Sequence, residues 1–190
     1  MDRDEVVLLA AFMRAAASYL EFGCGGSTWL ATQTVRRSVT SVDSHQGWIK
    51  ETSEKCAKIA RGFNPRFEYA DIGDTVALGY PRGYPTIVDS KPEWAAYHST
   101  VWDNPEAASA DLFLVDGRFR VACALQILLR CRMESFLAVH DYSDRDFYHA
   151  IDYFARRVAI ANRLFVFQKT PDFDPDRAVE TLGKYRTDPR

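Results

Sequence analysis

The run Ser18-Tyr19-Leu20-Glu21-Phe22-Gly23-Cys24-Gly25-Gly26-Ser27-Thr28 constrains this chain more than any other stretch. An apolar segment ends in a carboxylate, a glycine-rich turn follows, and Ser27 reads as the N-cap of a helix. Glycine has no Cβ, so such a turn lets backbone amides come close to whatever lies against it. The next strand-like run, Ser38-Val39-Thr40-Ser41-Val42, closes on a second carboxylate, Asp43. A strand, a glycine turn, a helix and then an acid about 20 residues on is the general pattern of a site for a nucleoside-bearing cofactor at the edge of a parallel sheet.

The alternation continues along the chain. Helical patterns cover Glu5 to Ala17, Ser27 to Arg36, Gln46 to Arg61, Phe119 to Cys131 and Asp144 to Arg157. Strand patterns cover Tyr19 to Phe22, Ser38 to Val42, Arg66 to Ala70, Asp111 to Val115, Phe136 to Val139 and Leu164 to Phe167. This order predicts an α/β fold: a Rossmann-like, doubly wound, mostly parallel sheet with helices on both faces. With 190 residues, 47% of them hydrophobic, the chain reads as one domain spanning 1–190, with its core at about 15–168. Two segments fall outside the alternation. Residues 76–110 carry Gly79, Pro81, Gly83, Pro85, Pro92 and Pro105 among Tyr80, Tyr84, Trp94, Tyr97 and Trp102. They read either as a lid or substrate wall, or as an insertion folded on its own aromatics, with a short helix at Pro92 to Thr100. The charged tail, 171–190, reads as a loosely packed extension.

A formal net charge of −2 argues against a nucleic-acid surface, so no nucleic-acid partner is expected. No apolar run reaches the roughly 20 residues that span a bilayer, and the acidic start is unlike a secretory signal. Cys24, Cys56, Cys123 and Cys131 lack metal-site spacing and read as reduced thiols of a cytoplasmic protein, Cys24 as a small turn-filling side chain. His45, His98 and His149 show no metal spacing either. The oligomeric state stays open, a homo-oligomer included.

The dinucleotide fingerprint needs a third glycine where this chain has Thr28, and Glu21 would stand beside two phosphates of its own sign. An ammonium-bearing cofactor suits Glu21 better. At this point the chain resembles the class I S-adenosylmethionine-dependent methyltransferases, whose first motif, acid-x-Gly-x-Gly, is Glu21-Phe22-Gly23-Cys24-Gly25 here. The resemblance implies S-adenosylmethionine as cofactor, with Glu21 near its methionine end, Asp43 and Ser44 at the ribose, and Asp71-Ile72 beside the adenine. Ser27, Thr28 and Asp116 complete the implied cradle. It also implies an antiparallel last strand, for which Leu164 to Phe167 is the candidate.

Glu21, Asp43, Asp71, Asp116 and Asp141 all fall at or just past strand ends, which share one edge in a parallel sheet. Catechol-type relatives place magnesium ligands where Asp116 and Asp141 stand. This chain departs from them, with His140-Asp141-Tyr142 for their Asp-Asn pair and with Arg118 and Arg120 available to neutralise the acids. A metal-free site is therefore the preferred reading, with Mg2+ on Asp116 and Asp141 as the other. His140 has the pKa range of a general base, and Asp116 and Asp141 join it as catalytic candidates. Against this stands a histidine satisfied within the fold. Arg118, Arg120 and Tyr142 are the candidates for binding the acceptor, although the arginines can also simply pair with the acids. The function expected is methyl transfer to an oxygen or nitrogen of a small-molecule acceptor. A nicotinamide-dependent oxidoreductase is the alternative from another class, disfavoured by the missing glycine and the lack of a Tyr-x-x-x-Lys pair; a non-catalytic cofactor-binding module is the third.

Overall fold

The computed structural model describes residues 1–59, 62–84 and 91–190. The expected helix end at Arg61 and the turn proline Pro85 lie outside these. The elements run α1 (Arg3–Ala15), β1 (Ser18–Phe22), α2 (Gly26–Thr34), β2 (Ser38–Asp43), α3 (Gln46–Cys56), β3 (Arg66–Tyr69), α4 (Ala96–Ser99), β4 (Leu112–Val115), α5 (Arg120–Arg130), β5 (Phe136–Val139), β6 (Ala155–Ala161), β7 (Leu164–Lys169) and α6 (Pro175–Tyr185). The sheet order is β3-β2-β1-β4-β5-β7-β6. β3, β2, β1, β4 and β5 pair in parallel, and β7 runs antiparallel to both β5 and β6. This is the Rossmann-like sheet with an antiparallel last strand.

Strand periodicity builds two cores. Successive side chains point to opposite faces, and the central strands are apolar on both. Tyr19, Leu112, Leu114 and Ala138 face Leu9 and Met13 of α1 and Ala31 of α2. Leu20, Phe22, Phe113, Val115, Leu137 and Val139 face α5 and the segment around Trp94, Tyr97 and Val101. Each fully buried Leu or Phe contributes about 1.5 to 3 kcal/mol. α5 is buried nearly all round because α6 covers its outer side.

Three expectations change. Asp144 to Arg157 is not one helix: a 3-10 stretch, Asp146–Tyr153, leads into β6, which forms a hairpin with β7. The turn is Asn162-Arg163, with Asn162 at φ 47°, a conformation that asparagine tolerates well. The tail is not loose. Asp174 caps α6 by accepting from the Arg177 amide, Pro175 occupies the first turn, and Ala178, Leu182 and Tyr185 pack on the core. The segment around 76–110 divides. Residues 74–82 form a tight loop closed by Val76 N–H donating to Tyr80 O (2.8 Å) and Arg82 N–H donating to Asp74 O (2.8 Å). The helical turns from Pro92 to Asp103 bury Trp94, Tyr97 and Val101 in the core.

Candidate active site

A cleft of about 1010 Å³ runs along the C-terminal edge of the parallel strands. Gly23, Cys24, Gly25, Gly26 and Ser27 form its floor between β1 and α2, and Asp43, Ser44, His45 and Trp48 continue it past β2. Asp116, Gly117, Arg118 and Tyr97 form the wall above β4, and residues 75–79 form the outer wall. Met1, Val6 and Leu9 of the N-terminal segment and Trp29 and Leu30 of α2 add an apolar end.

The floor is tight because two backbone turns touch. Gly23 has φ 100°, and a Cβ there would lie 2.6 Å from Gly117 N and 2.7 Å from its Cα. Only glycine meets both conditions. Asp43, the register partner of Tyr69 in β3, stands beside this floor. Its carboxylate accepts from Cys24 N–H (3.1 Å) and His45 N–H (2.9 Å).

Glu21 is not at the cleft surface. Strand alternation turns it to the same face as Tyr19, under the glycine turn, where it is fully buried. The hydroxyls of Tyr19 (2.8 Å), Ser27 (2.6 Å), Ser41 (2.8 Å) and Thr28 all donate to it. Ser41 is its register partner in β2. Burial raises its pKa to about 7, against the pull of the four hydroxyls. Glu21 therefore props up the turn from below. Ser27 does not cap α2 as expected, because its hydroxyl is committed to Glu21; Gly25 precedes the helix, and its N–H donates to Thr28 Oγ1 (2.8 Å). Phe22 packs on the opposite face against Tyr97 and Trp102. Asp71 and Ile72 do not line the cleft: Asp71 is exposed and accepts from Gly73 N–H (3.0 Å), while Ile72 is in the core. Cys24 does line it, with burial pushing its thiol far above the ordinary range, which disfavours the thiolate.

His140 is buried between two carboxylates rather than turned to the cleft. Its Nδ1 lies 2.9 Å from Asp116 Oδ1, and its Nε2 lies 3.1 Å from Glu5 Oε2. Burial alone would lower its pKa. The hydrogen bond and charge of Asp116, the charge of Asp141 and the bond to Glu5 outweigh that and hold it above the ordinary value. With each ring nitrogen engaged by a carboxylate, the imidazole has none free toward the cleft to take an acceptor's proton. It clamps β5 to β4 and to α1. Glu5, fully buried, also accepts from Asp2 N–H (2.7 Å) and Arg163 N–H (3.0 Å), which ties the N-terminus to the β6–β7 turn.

Asp141, at φ 58° just past β5, is likewise off the cleft. Burial would raise its pKa, but Arg120, His140, Arg163 and Arg145 together hold it below the ordinary value. Arg120 is buried, 3.1 Å from Asp141 and 3.4 Å from Asp116, and donates to the carbonyls of Gly117 and His140. Tyr142 is buried among Phe165, Phe167 and Tyr148. Neither lines the cleft, where acceptor contacts were expected of them. Asp116 and Arg118 do reach it. Asp116 turns Oδ1 to His140 and Arg120, while Oδ2 takes no bond among the described residues.

Asp116, His140 and Asp141 bring three ligand-type atoms within 4.8 Å of one another. They do not fit magnesium. That ion prefers an octahedral oxygen shell, whereas His140 already bonds Asp116 and the Arg120 guanidinium bridges Asp116 to Asp141.

Among solved structures, a methyltransferase-like protein of Silicibacter pomeroyi superposes with a TM-score of 0.86 at 31% identity, over 100% of this chain and 96% of that one. The chain belongs to the class I S-adenosylmethionine-dependent methyltransferase superfamily. More distant members share its fold. A Geobacter sulfurreducens methyltransferase matches with a TM-score of 0.58 at 11% identity, over 90% of this chain and 81% of that one. An SAH-bound Podospora anserina methyltransferase matches with a TM-score of 0.56 at 10% identity, over 90% of this chain and 80% of that one. No protein-family model and no curated protein matches the sequence.

Within this superfamily frame, the reading of the sequence missed Glu5, Val6, Leu9 and Trp48, whereas residues 76–79 of the outer wall belong to the segment it read as either a lid or substrate wall or an insertion. Glu5 had a local signal, since Asp2 and Glu5 have capping-box spacing and form that box. Its contact with His140, 135 residues away, had none.

Proposed function

We propose that this chain transfers a methyl group from S-adenosylmethionine to a small-molecule acceptor bound in the same cleft. The observation that carries the reading is the meeting of the bare glycine turn with the carboxylates of Asp43 and Asp116 on one sheet edge, in a chain of this superfamily. The residues fit the cofactor. The Gly23–Gly117 contact leaves a floor of backbone without side chains, and the cleft is at the upper end of the range for small-molecule sites. Asp43 gives one lone pair on each oxygen to a backbone amide, leaving another on each for adjacent ribose hydroxyls. Ser44 lies next to it on the cleft. SAH binding by the Podospora anserina neighbour supports the same cofactor class.

Bound there, S-adenosylmethionine supplies an electrophilic methyl group on a sulfonium sulfur. The chain's own share is position and exclusion of water. α1 and residues 75–79 wall the cleft, and Asp116 Oδ2 accepts a hydrogen bond from the hydroxyl or amine to be methylated. His140 and Arg120 hold Asp116 in place. The four free, buried cysteines suit a reducing cytoplasm.

The test is a thermal-shift titration with S-adenosylhomocysteine and NADH in parallel, each with and without magnesium. At about 100 times its dissociation constant a ligand adds about 2.7 kcal/mol. For a chain of this size that raises Tm by about 5 to 10 °C. The expected result is a rise with S-adenosylhomocysteine only, unchanged by magnesium, and at least tenfold weaker binding in Asp43→Ala. A rise with NADH alone returns the oxidoreductase reading. Tight S-adenosylhomocysteine binding without methyl transfer to any acceptor pool returns the non-catalytic module.

A further inference from the structure

The arginines near the cleft differ in one respect. Arg120, Arg145 and Arg163 each pair with Asp141. Arg118 pairs with no carboxylate among the described residues, and it lines the cleft. Its guanidinium lies 4.4 Å from the centre of the Tyr80 ring, and that ring stacks on Tyr84 at 5.5 Å with an interplanar angle of 8°. The backbone around it is equally committed. The Tyr97 hydroxyl accepts from Arg118 N–H, and Phe119, the next residue, is held at φ 54° in the core. A cation is thus set in the cleft wall above β4 against the Tyr80 ring, with no side-chain donor bond from its guanidinium among the described residues. A guanidinium in that state is a ready-made receptor for a planar anion.

The rest of the wall narrows the anion. Asp43 and Asp116 lie on the same cleft, so a dianionic phosphate would meet two carboxylates with one guanidinium among the described lining residues to offset them. A monoanionic carboxylate matches the single guanidinium. Met1, Val6 and Leu78 offer apolar surface for the remainder of such a molecule. We propose that the methyl acceptor is an amphipathic carboxylic acid whose carboxylate is bound by Arg118, held against Tyr80, while its nucleophile lies at Asp116. This rests on the methyltransferase reading above. The methionine end of the cofactor also carries a carboxylate, and the experiment separates the two sources.

Calorimetric titrations of the full chain are made with S-adenosylhomocysteine and with 5′-methylthioadenosine, which lacks the amino-acid end. The protein is then titrated with benzoate and with its neutral counterpart benzamide, both in the presence and in the absence of S-adenosylhomocysteine. All are repeated for Arg118→Ala and Arg118→Gln, each with a melting curve; Gln keeps the length and removes the charge. The expected result is benzoate binding at least about tenfold tighter than benzamide, as a charge-assisted bond gives. That preference should vanish in both variants while S-adenosylhomocysteine affinity stays within about twofold. Equal binding of benzoate and benzamide, or a preference that survives both variants, overturns the proposal. So does a large loss of S-adenosylhomocysteine affinity with methylthioadenosine unchanged, which would assign Arg118 to the cofactor's own carboxylate. Failure of S-adenosylhomocysteine to bind wild-type protein refutes the methyltransferase reading instead, and the benzoate arm without it still decides whether Arg118 binds carboxylates.

Discussion

Replacing Gly23 with alanine tests whether the cleft floor depends on two backbones in contact. The variant carries two separate penalties. At φ 100° an L side chain meets its own backbone, a strain of about 1 to 2 kcal/mol. The new Cβ would also sit 2.6 Å from Gly117 N, 2.7 Å from Gly117 Cα and 3.0 Å from Asp116 C. These are main-chain atoms of the loop after β4 and cannot rotate away, so an overpacking term of about 1 to 3 kcal/mol is added. The sum is about 2 to 5 kcal/mol, a Tm fall of about 4 to 20 °C for a chain of this size. Gly26→Ala is the matched control. It begins α2, is exposed, and its Cβ would meet nothing within 4 Å; the change should leave stability the same or raise it by up to about 1 kcal/mol. Differential scanning calorimetry of both variants decides. A Gly23→Ala protein melting within 2 °C of wild type would mean that the two turns separate at no cost, and the argument for a rigid floor would fail.

Other perturbations follow from the buried charges. Glu5→Ala leaves His140 and the Arg163 amide without their acceptor and should cost about 3 kcal/mol in urea unfolding, far more than a surface glutamate would; a change below 1 kcal/mol would show that the α1 clamp is not formed. Burial lowers the pKa of His98 to about 4, with Arg186 O and Gln126 as its partners. Because the folded value lies below 6.5, its contribution is complete above pH 6.5 and is lost as pH falls toward 4, by on the order of 3 kcal/mol. His98→Gln should therefore lose less stability than wild type between those pH values, and equal slopes would contradict the assignment. Glu21 has the opposite sign: its raised folded value favours the fold at low pH and weakens it as pH rises through about 7. Glu21→Gln should gain on wild type between pH 5 and pH 8, by up to about 3 kcal/mol, and a constant difference across that range would show that Glu21 does not titrate there.

Local sequence was sufficient wherever a short-range pattern had one solution. The glycine turn after β1, the acid ending β2 and the alternation of apolar strands with helices identified the sheet, the superfamily and the cleft residues Gly23, Cys24, Gly25, Ser27, Asp43, Ser44, Asp116 and Arg118. The β6–β7 hairpin and α6 carried legible signals too, in Asn162 between two apolar runs and in the spacing of Ala178, Leu182 and Tyr185 after Asp174-Pro175. What the chain order could not decide was which of two equivalent-looking side chains faces the cleft. Glu21 and Asp43 both follow apolar strand residues and share one sheet face, yet Glu21 lies inside β1, closed over by the hydroxyls of Tyr19 and Ser41, while Asp43 lies past the last β1–β2 pair beside the open turn. Asp116 and Asp141 both end strands, yet three arginines and His140 take up Asp141, and Asp116 keeps one oxygen for the cleft. Arg118 and Arg120 are two residues apart, yet Arg120 is drawn into the buried acids and Arg118 is left on Tyr80. Each outcome depends on partners brought from distant parts of the chain, such as Glu5 on His140 and Arg163 on Asp141. Propensity and spacing act over a few residues and carry no information about those contacts, so only the folded arrangement separates the groups that hold the cleft from those that face it.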